Sequence, residues 1–346
     1  MSKSAIGPGA KYGRLTVRAS ILTCTARSNP QWRWMADSIA RQTPALLSDV
    51  EWVVVDAKLW DDPASRRQEL AAAARPLLAL GAGLVHIQPK PCAWQGPNRL
   101  TRGQFFALSN ARNTGLVVAR GERIIALDDC SVVADDWLAG HLRYPPTALV
   151  AGSFFTYRTA KVVDGVVVEG DPGPYGLDSR VAIEPEPCRT NAGWLYGLSC
   201  SYPLEAALRV NGADEKYDSQ AGGEDCDQAI RMERAGYAAY WDPRIRIFQI
   251  LESHEPVFET SAWNMNQPVR RTPKELVVRR DQASHFANEV LAERLVLDDI
   301  DRYLPLGNPF DLREMRAHYK ATGQMLPHPF ESDVDWRDGQ PLAEME

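Results

Sequence analysis

The stretch "ERIIALDDCSVVADDWL", residues 122–138, decides the fold. Its first part, "RIIAL", is an apolar, β-branched run that reads as a strand. Two adjacent carboxylates, Asp128 and Asp129, stand at the strand end and Cys130 follows. Two readings are open. Hard cations such as Mg²⁺ and Mn²⁺ take one or two carboxylates together with phosphate oxygens and water. Alternatively, Asp serves a turn by bonding nearby backbone.

Working outward, "LTVRASILTCT" (15–25) reads as a strand ending at Thr25. "NPQWRWMADSIARQT" (29–43) follows as a helix, with Asn29 as N-cap and Pro30 at the first position. "VEWVVVDA" (50–57) is a second strand ending at Asp56, and "DPASRRQELAAAARPLLALG" (62–81) is one long helix opened by Asp62-Pro63. "GLVHIQP" (83–89) is a third strand, and "LTRGQFFALSNARNTGLVVAR" (100–120) is a helix capped at Thr101. The order β-α-β-α-β-α-β predicts an α/β fold with a mostly parallel central sheet flanked by helices. Ligands of such sheets bind beyond the carboxyl ends of the strands, where Thr25, Asp56, Asp128 and Asp129 all fall.

The middle of the chain is less regular. "AKVVDGVVVEG" (160–170) predicts a hairpin turning at Asp164-Gly165, "DPGPYGLDSR" (171–180) a loop, and "SYPLEAALRV" (201–210) a short helix. "GGEDCDQAIRMERAGY" (222–237) is loop then helix, and "AAYWDPRIRIFQI" (238–250) a strand. Capping at a helix start accounts for one or two of the acids Glu224, Asp225 and Asp227. Three acids beside two glycines exceed that need, and a carboxylate there can act as a general base. Beyond residue 255, Thr272, Pro273 and Glu275 form a capping box for a helix reaching Leu291 or Leu295. Asn308-Pro309 opens another helix that stops near Gly323. The expected division is a flexible tail at 1–14, a domain at 15–255 with halves at 15–140 and 141–255, and a helical extension with an acidic tail at 256–346.

Composition narrows the class. The 346 residues carry a formal net charge of −6, so bulk electrostatics give no support for a nucleic-acid-binding protein. The six cysteines show no metal-ligand spacing and are too few for a disulfide scaffold. The N-terminus has no apolar signal core, and no apolar stretch approaches the roughly 20 residues needed to cross a bilayer. These features predict a cytoplasmic protein with no transmembrane segment.

Taken in order, these pieces resemble the family-2-type inverting glycosyltransferases of the GT-A fold, over about residues 16–250. "SILTCTAR" is similar to the family's first strand and donor-binding turn, and "VEWVVVDA" to the strand whose terminal Asp meets the nucleobase. "SNARNTGLVVARGERIIALDDCSVVADDWL" resembles the segment from the Arg-Asn helix to the metal motif. "SYPLEAALRVNGADEKYDSQAGGEDCDQAIRMERAGY" resembles the acceptor-side segment with its catalytic acid pair. The resemblance implies that Thr25 and Asp56 hold the nucleoside and that Arg112 lies near the nucleotide. Asp128 and Asp129 would be the D-x-D-like acids meeting the diphosphate through Mn²⁺ or Mg²⁺, with Asp129 making the direct bond. Asp225 would be the base, with Glu224 positioning it or the acceptor. Two departures stand out: Cys130 replaces a third acid, and Gln249 falls where a metal-binding His is common, with His254 a few residues later as the candidate replacement.

Other stretches carry two readings each. Trp94 and Arg99 in "WQGPNRLT" form a donor-side lid or a packed loop. Trp194 and Tyr196 in "NAGWLYG" stack on acceptor sugar or fill core. Arg270, Arg271, Lys274, Arg279 and Arg280 meet an anionic acceptor or line a solvated helix. No P-loop and no G-x-G-x-x-G fingerprint is present. The expectation is therefore a metal-dependent transferase acting on a nucleotide-sugar donor, a UDP-sugar. Its acceptor is a glycan or a modified nucleic-acid base, and its oligomeric state is left open. The rivals are an inactive sugar-nucleotide- or glycan-binding module and a nucleotidyltransferase.

Overall fold

A computed structural model of the chain describes residues 17–59, 62–90, 108–215, 223–251, 268–269, 278–279 and 311–326. Trp94, Arg99, His254, Thr272 and the helix and acidic tail expected around them lie outside the described residues, as do residues 1–14 and the side chains of the basic cluster at 270–280.

Four strands, β1 (Ala19–Thr25), β2 (Val50–Asp56), β3 (Gly83–Ile87) and β4 (Arg123–Leu127), run parallel in the order β3-β2-β1-β4. Side chains of a strand alternate between faces, so Leu22, Val53 and Ile124 enter one apolar layer while Ile21, Trp52 and Ile125 enter the other. The second layer is closed by α1 (Trp32–Ala40), α2 (Pro44–Leu47), α3 (Pro63–Ala73) and α4 (Arg75–Ala79), through Met35, Ile39, Leu47, Leu70 and Leu77. The first is closed by α5 (Leu108–Val118) and by helices from later in the chain.

The α/β class is as expected, but the sheet is mixed rather than mostly parallel. After β4 come β5 (Ser131–Val133), α6 (Trp137–Leu142), and the long hairpin strands β6 (Leu149–Val163) and β7 (Val166–Leu177). The remaining elements are α7 (Arg180–Ile183), β8 (Cys188–Thr190), β9 (Ser199–Pro203), α8 (Leu204–Arg209), α9 (Glu224–Arg234), β10 (Ala239–Ile250) and α10 (Leu312–Thr322). β9 inserts antiparallel between β4 and β6, and β10 runs parallel to β6 but antiparallel to β5 and β8. The first four strands are joined by the helical crossovers that parallel pairing requires, whereas the later pairings are antiparallel except that of β6 with β10.

Several local expectations are corrected. The long helix at 62–81 divides into α3 and α4 because Pro76 has no N–H to donate and crowds the preceding turn. Its start is as expected: Asp62 accepts the Ser65 N–H with Pro63 in the first turn. α1 begins at Trp32 with Gln31 at the cap, not at Asn29-Pro30. Residues 199–203 form β9 rather than the head of a helix, and residues 171–177 of the expected 171–180 loop belong to β7. Asp164 and Gly165 do turn the hairpin, with φ of 48° and 73°, the paired positive values a type I′ turn demands. The tip lies on α1, where a Cβ on Gly165 would stand 2.3 Å from the Ser38 nitrogen.

α10 ends at Gly323 in the left-handed region, as expected, and starts at Leu312 with Asp311 as cap. It packs on the main core through Leu312 and Met315. The Arg316 guanidinium donates to the last-turn carbonyls of α5, Leu116 at 3.0 Å and Val117 at 2.8 Å.

Candidate active site

The carboxyl ends of β1, β2 and β4 share one edge of the sheet, and register places Thr25 opposite Asp56. β9 runs against β4 with Ser199 opposite Leu127, so the start of β9 arrives beside Asp128. β10 ends with Gln249 opposite Ser131. Topology alone therefore brings residues 25–27, 128–131, 197–199 and 249 together.

Asp128 and Asp129 begin the tight connection from β4 to β5. Cys130 makes the turn, fully buried and left-handed at φ 60°, a conformation that costs a non-glycine residue about 1 kcal/mol. Its carbonyl accepts the Ile250 N–H at 3.3 Å. Asp129 Oδ2 accepts from Thr25 Oγ1 at 2.8 Å and pairs with Arg27 Nε at 2.8 Å. Asp128 Oδ2 accepts from Gln249 Nε2 at 3.0 Å. Burial, and then the charge of Asp129, push the Asp128 carboxyl up to about 7, against the pull of Arg112 and Arg27.

The second acid pair opens α9. Gly223 at its cap has φ 96°, which favours glycine. Glu224 is buried and pairs with Arg112 at 2.5 Å, from the second turn of α5. Burial opposes the Arg112 charge, but Glu224 and Asp225 more than offset this and raise its pKa. Burial also raises Glu224, with Asp225 adding to it and Arg112 opposing. Asp225 stays partly open to solvent. Its Oδ2 accepts the Gly197 N–H at 2.6 Å and its Oδ1 the Cys226 N–H at 2.8 Å. Each carboxylate oxygen has two lone pairs, so both keep capacity to take a proton.

The two pairs meet at one step of backbone. Gly197 donates to Asp225, while the next residue, Leu198, accepts the Asp128 N–H at 3.3 Å. A small cavity lined by Arg112, Cys200, Tyr202, Asp225 and Met232 lies behind them. Burial pushes the Cys200 thiol up to about 12, so it remains a neutral wall.

Asp56 sits at the end of β2 with its carboxylate committed inward. Arg66 grips both oxygens at 2.8 and 2.9 Å, and His86 Nε2 lies 3.1 Å away. Burial works against that charge, but the hydrogen bonds from His86 and Arg66 hold the carboxyl below its ordinary range. Arg66 also stacks on Trp32, 4.6 Å from the ring centre, and donates to the carbonyls of Arg27 and Ser28. Trp194 meets Trp241 edge-on with ring centres 5.5 Å apart, and Arg180 covers one face of Tyr196 at 3.9 Å. Asp178 holds Arg180 through both carboxylate oxygens.

Sequence reasoning did not single out Arg27, Arg66, His86, Gly197 or Arg180. Arg27 had a signal, since it lies two residues past a strand end already marked as a ligand edge. His86 and Gly197 are brought in by pairing across about thirty residues, and Arg66 and Arg180 by side chains that meet only in the fold, which no local pattern encodes.

The donor chemistry fits a hard divalent cation. Two crowded carboxylates, one with a raised pKa, carry the negative charge such an ion relieves. Among the described residues no three His, Cys, Asp or Glu side chains converge on one point. No helix among the described residues is long and apolar enough to cross a membrane.

No protein-family model and no curated protein matches the chain. Solved structures of similar fold include GalNAc-T7 with UDP, GalNAc and Mn²⁺, at 14% identity and a TM-score of 0.49 over 91% of this chain and 56% of that one. This chain thus spans little more than half the length of GalNAc-T7. The mannosyltransferase PcManGT from Pyrobaculum calidifontis, in complex with GDP-Man and Mn²⁺, gives 17% and 0.47 over 92% and 80% of the two chains. S. aureus TarS, residues 1–349, gives 12% and 0.49 over 88% and 72%. At such identities, residue roles rest on this chain's own geometry.

Proposed function

We propose that the chain is a metal-dependent inverting glycosyltransferase that moves a sugar from a nucleotide donor, a UDP-sugar, to an acceptor hydroxyl. The observation that carries this reading is the Gly197–Leu198 step, where the Gly197 N–H bonds the Asp225 carboxylate and the Leu198 carbonyl accepts the Asp128 N–H. One acid pair then serves the donor's phosphates and the other the acceptor.

Asp225 accepts the proton of the acceptor hydroxyl as that oxygen attacks the anomeric carbon from the face opposite the departing diphosphate. Gly197 and Cys226 fix the orientation of its carboxylate. Arg112 binds Glu224, keeping the first turn of α9 in place. A divalent cation held by Asp129 and Asp128, when bound, supplies charge neutralisation for the leaving diphosphate. Thr25 fixes Asp129, and Gln249 fixes Asp128. Trp194 and Tyr196 border the acceptor side and favour a glycan, whose CH faces pack on aromatic rings.

A donor screen by UDP release, with calorimetry of UDP in Mn²⁺, tests the reading. Asp225→Asn is expected to bind UDP as the native protein does and to lose roughly 10²–10⁴ in turnover, the usual share of a general base. Asp129→Ala is expected to weaken UDP binding as well. Near-native turnover by Asp225→Asn sinks the assignment of the base. The Gln249 amide on Asp128 favours one second reading, an inactive binding module: UDP would bind and no sugar nucleotide would be consumed.

A further inference from the structure

We propose that Arg27 guards the Asp129 carboxylate, holding it while no divalent cation is bound and turning to the donor's phosphates when the cation takes its place. This rests on the reading of Asp128 and Asp129 as the cation-binding acids.

Arg27 Nε lies 2.8 Å from Asp129 Oδ2, the same oxygen that accepts the Thr25 hydroxyl. The Arg27 side chain is 9% exposed. A guanidinium so withdrawn from water needs a counter-charge nearby at all times. A divalent ion on the same oxygen displaces it, because two cations do not share one carboxylate oxygen without strong repulsion.

The chain around Arg27 limits where it can go. Its N–H donates to Thr25 Oγ1 at 3.2 Å, and its carbonyl accepts from Arg66 Nη2 at 3.0 Å. Arg66 is itself locked on Asp56. The backbone is therefore pinned on both sides and only the side-chain torsions can turn. A guanidinium released from Asp129 stays at the carboxyl edge of β1, where its planar fork matches a phosphate group. Cation and nucleotide would then assist each other: the ion frees Arg27, and the phosphates accept it.

The test uses the full chain and Mn²⁺ alone, followed by electron paramagnetic resonance, and then UDP in saturating Mn²⁺. Removing a charge-assisted bond of this type is worth roughly tenfold or more in affinity. Arg27→Gln is expected to bind Mn²⁺ about tenfold more tightly than the native protein without nucleotide, and UDP about tenfold more weakly with Mn²⁺ present. Unchanged or weaker Mn²⁺ binding, or unchanged UDP binding, overturns the guard role. If Mn²⁺ binds neither protein, the cation reading falls and the guard with it; equal binding to both removes the guard alone. Should Arg27→Gln not fold, Arg27→Lys decides. Lysine keeps the charge but loses the fork, so UDP affinity must drop, and native affinities for both probes overturn the proposal.

Discussion

The guanidinium of Arg112 stands where a side chain on Gly197 would begin: a Cβ there would lie 1.9 Å from Arg112 Nη2. The same glycine gives its N–H to Asp225. One position therefore makes room for the cation that holds Glu224 and orients the neighbouring acid. A substitution at Gly197 forces either Arg112 out of place or β9 away from α9.

Gly197→Ala is accordingly expected to destabilise the fold by about 1–3 kcal/mol, the usual cost of overpacking, and to lower turnover well beyond the effect of that lost stability. Urea unfolding gives the first quantity and UDP release the second. Activity within a factor of two of native would show that Arg112 relocates without consequence.

Asp128 gives a pH signature. Its carboxyl titrates near 3.8 in the unfolded chain and at about 7 in the fold. Between those values the folded state holds the extra proton, so this group lowers stability as pH rises from about 4 to about 7. Above that window the cost is fully present, and below it the cost is absent. Unfolding of the native protein and of Asp128→Asn, both in chelator, should therefore diverge in favour of the variant across the window and run parallel above it. Curves that stay parallel throughout would mean that Asp128 carries its charge without cost. Mn²⁺ affinity should rise over the same range, since the ion competes with that proton.

How much of this was legible in the sequence follows from range of interaction. The runs ending at Thr25, Asp56 and Leu127 declared themselves because each is a mostly apolar, β-branched stretch buried almost throughout. β9 did not, since "SCSYP" alternates small polar and aromatic residues and leads directly into α8. Its strand character comes from pairing with β4, about eighty residues away. At the site, Asp128, Asp129, Glu224 and Asp225 were visible as acids in excess of what turns and caps need. Gln249 was visible only as a departure from a metal-binding His, and Gly197 acts through the absence of a side chain, which spacing does not reveal. Cys130 looked like a lost ligand; in the fold it is the left-handed residue of the turn.

His141 predicts an acid limit to stability. It is fully buried, 3.0 Å from Ser201 Oγ through Nδ1, and edge-on to Trp137 at 5.1 Å. Ser201 Oγ also accepts from Arg123 at 2.9 Å. Burial first, and then the Arg123 charge, lower the imidazole from 6.5 to about 3. The unfolded chain binds the proton first, so stability is lost as pH falls from about 6.5 towards 3. His141→Gln should flatten that part of the unfolding profile relative to the native protein, at some cost in stability at neutral pH. An unchanged acid slope would place the charge elsewhere.

Residues 213–215 are fastened by a buried clamp, and the clamp makes a double-mutant prediction. Asn113, next to Arg112, donates through Nδ2 to the Ala213 carbonyl at 2.8 Å and to Glu215 at 2.9 Å, and its Oδ1 accepts the Ala213 N–H at 2.8 Å. Lys90 pairs with Glu215 at 2.5 Å, and both side chains are almost wholly buried. A left-handed Gly212 lets the chain pass, since a Cβ there would lie 2.1 Å from Asn113 Oδ1. Lys90→Met leaves the Glu215 charge buried beside a shortened set of partners, which costs about 3–5 kcal/mol when a buried ion pair is broken from one side. Replacing both partners, Lys90→Met with Glu215→Leu, removes the uncompensated charge and should recover much of that loss. Turnover should not recover in parallel, because the double variant also loses the bond from Glu215 to Asn113, the neighbour of the Arg112 that holds Glu224. Urea unfolding of the single and double variants, with UDP release measured on each, separates the two effects. A double variant that regains native turnover along with stability would show that the clamp only holds the fold.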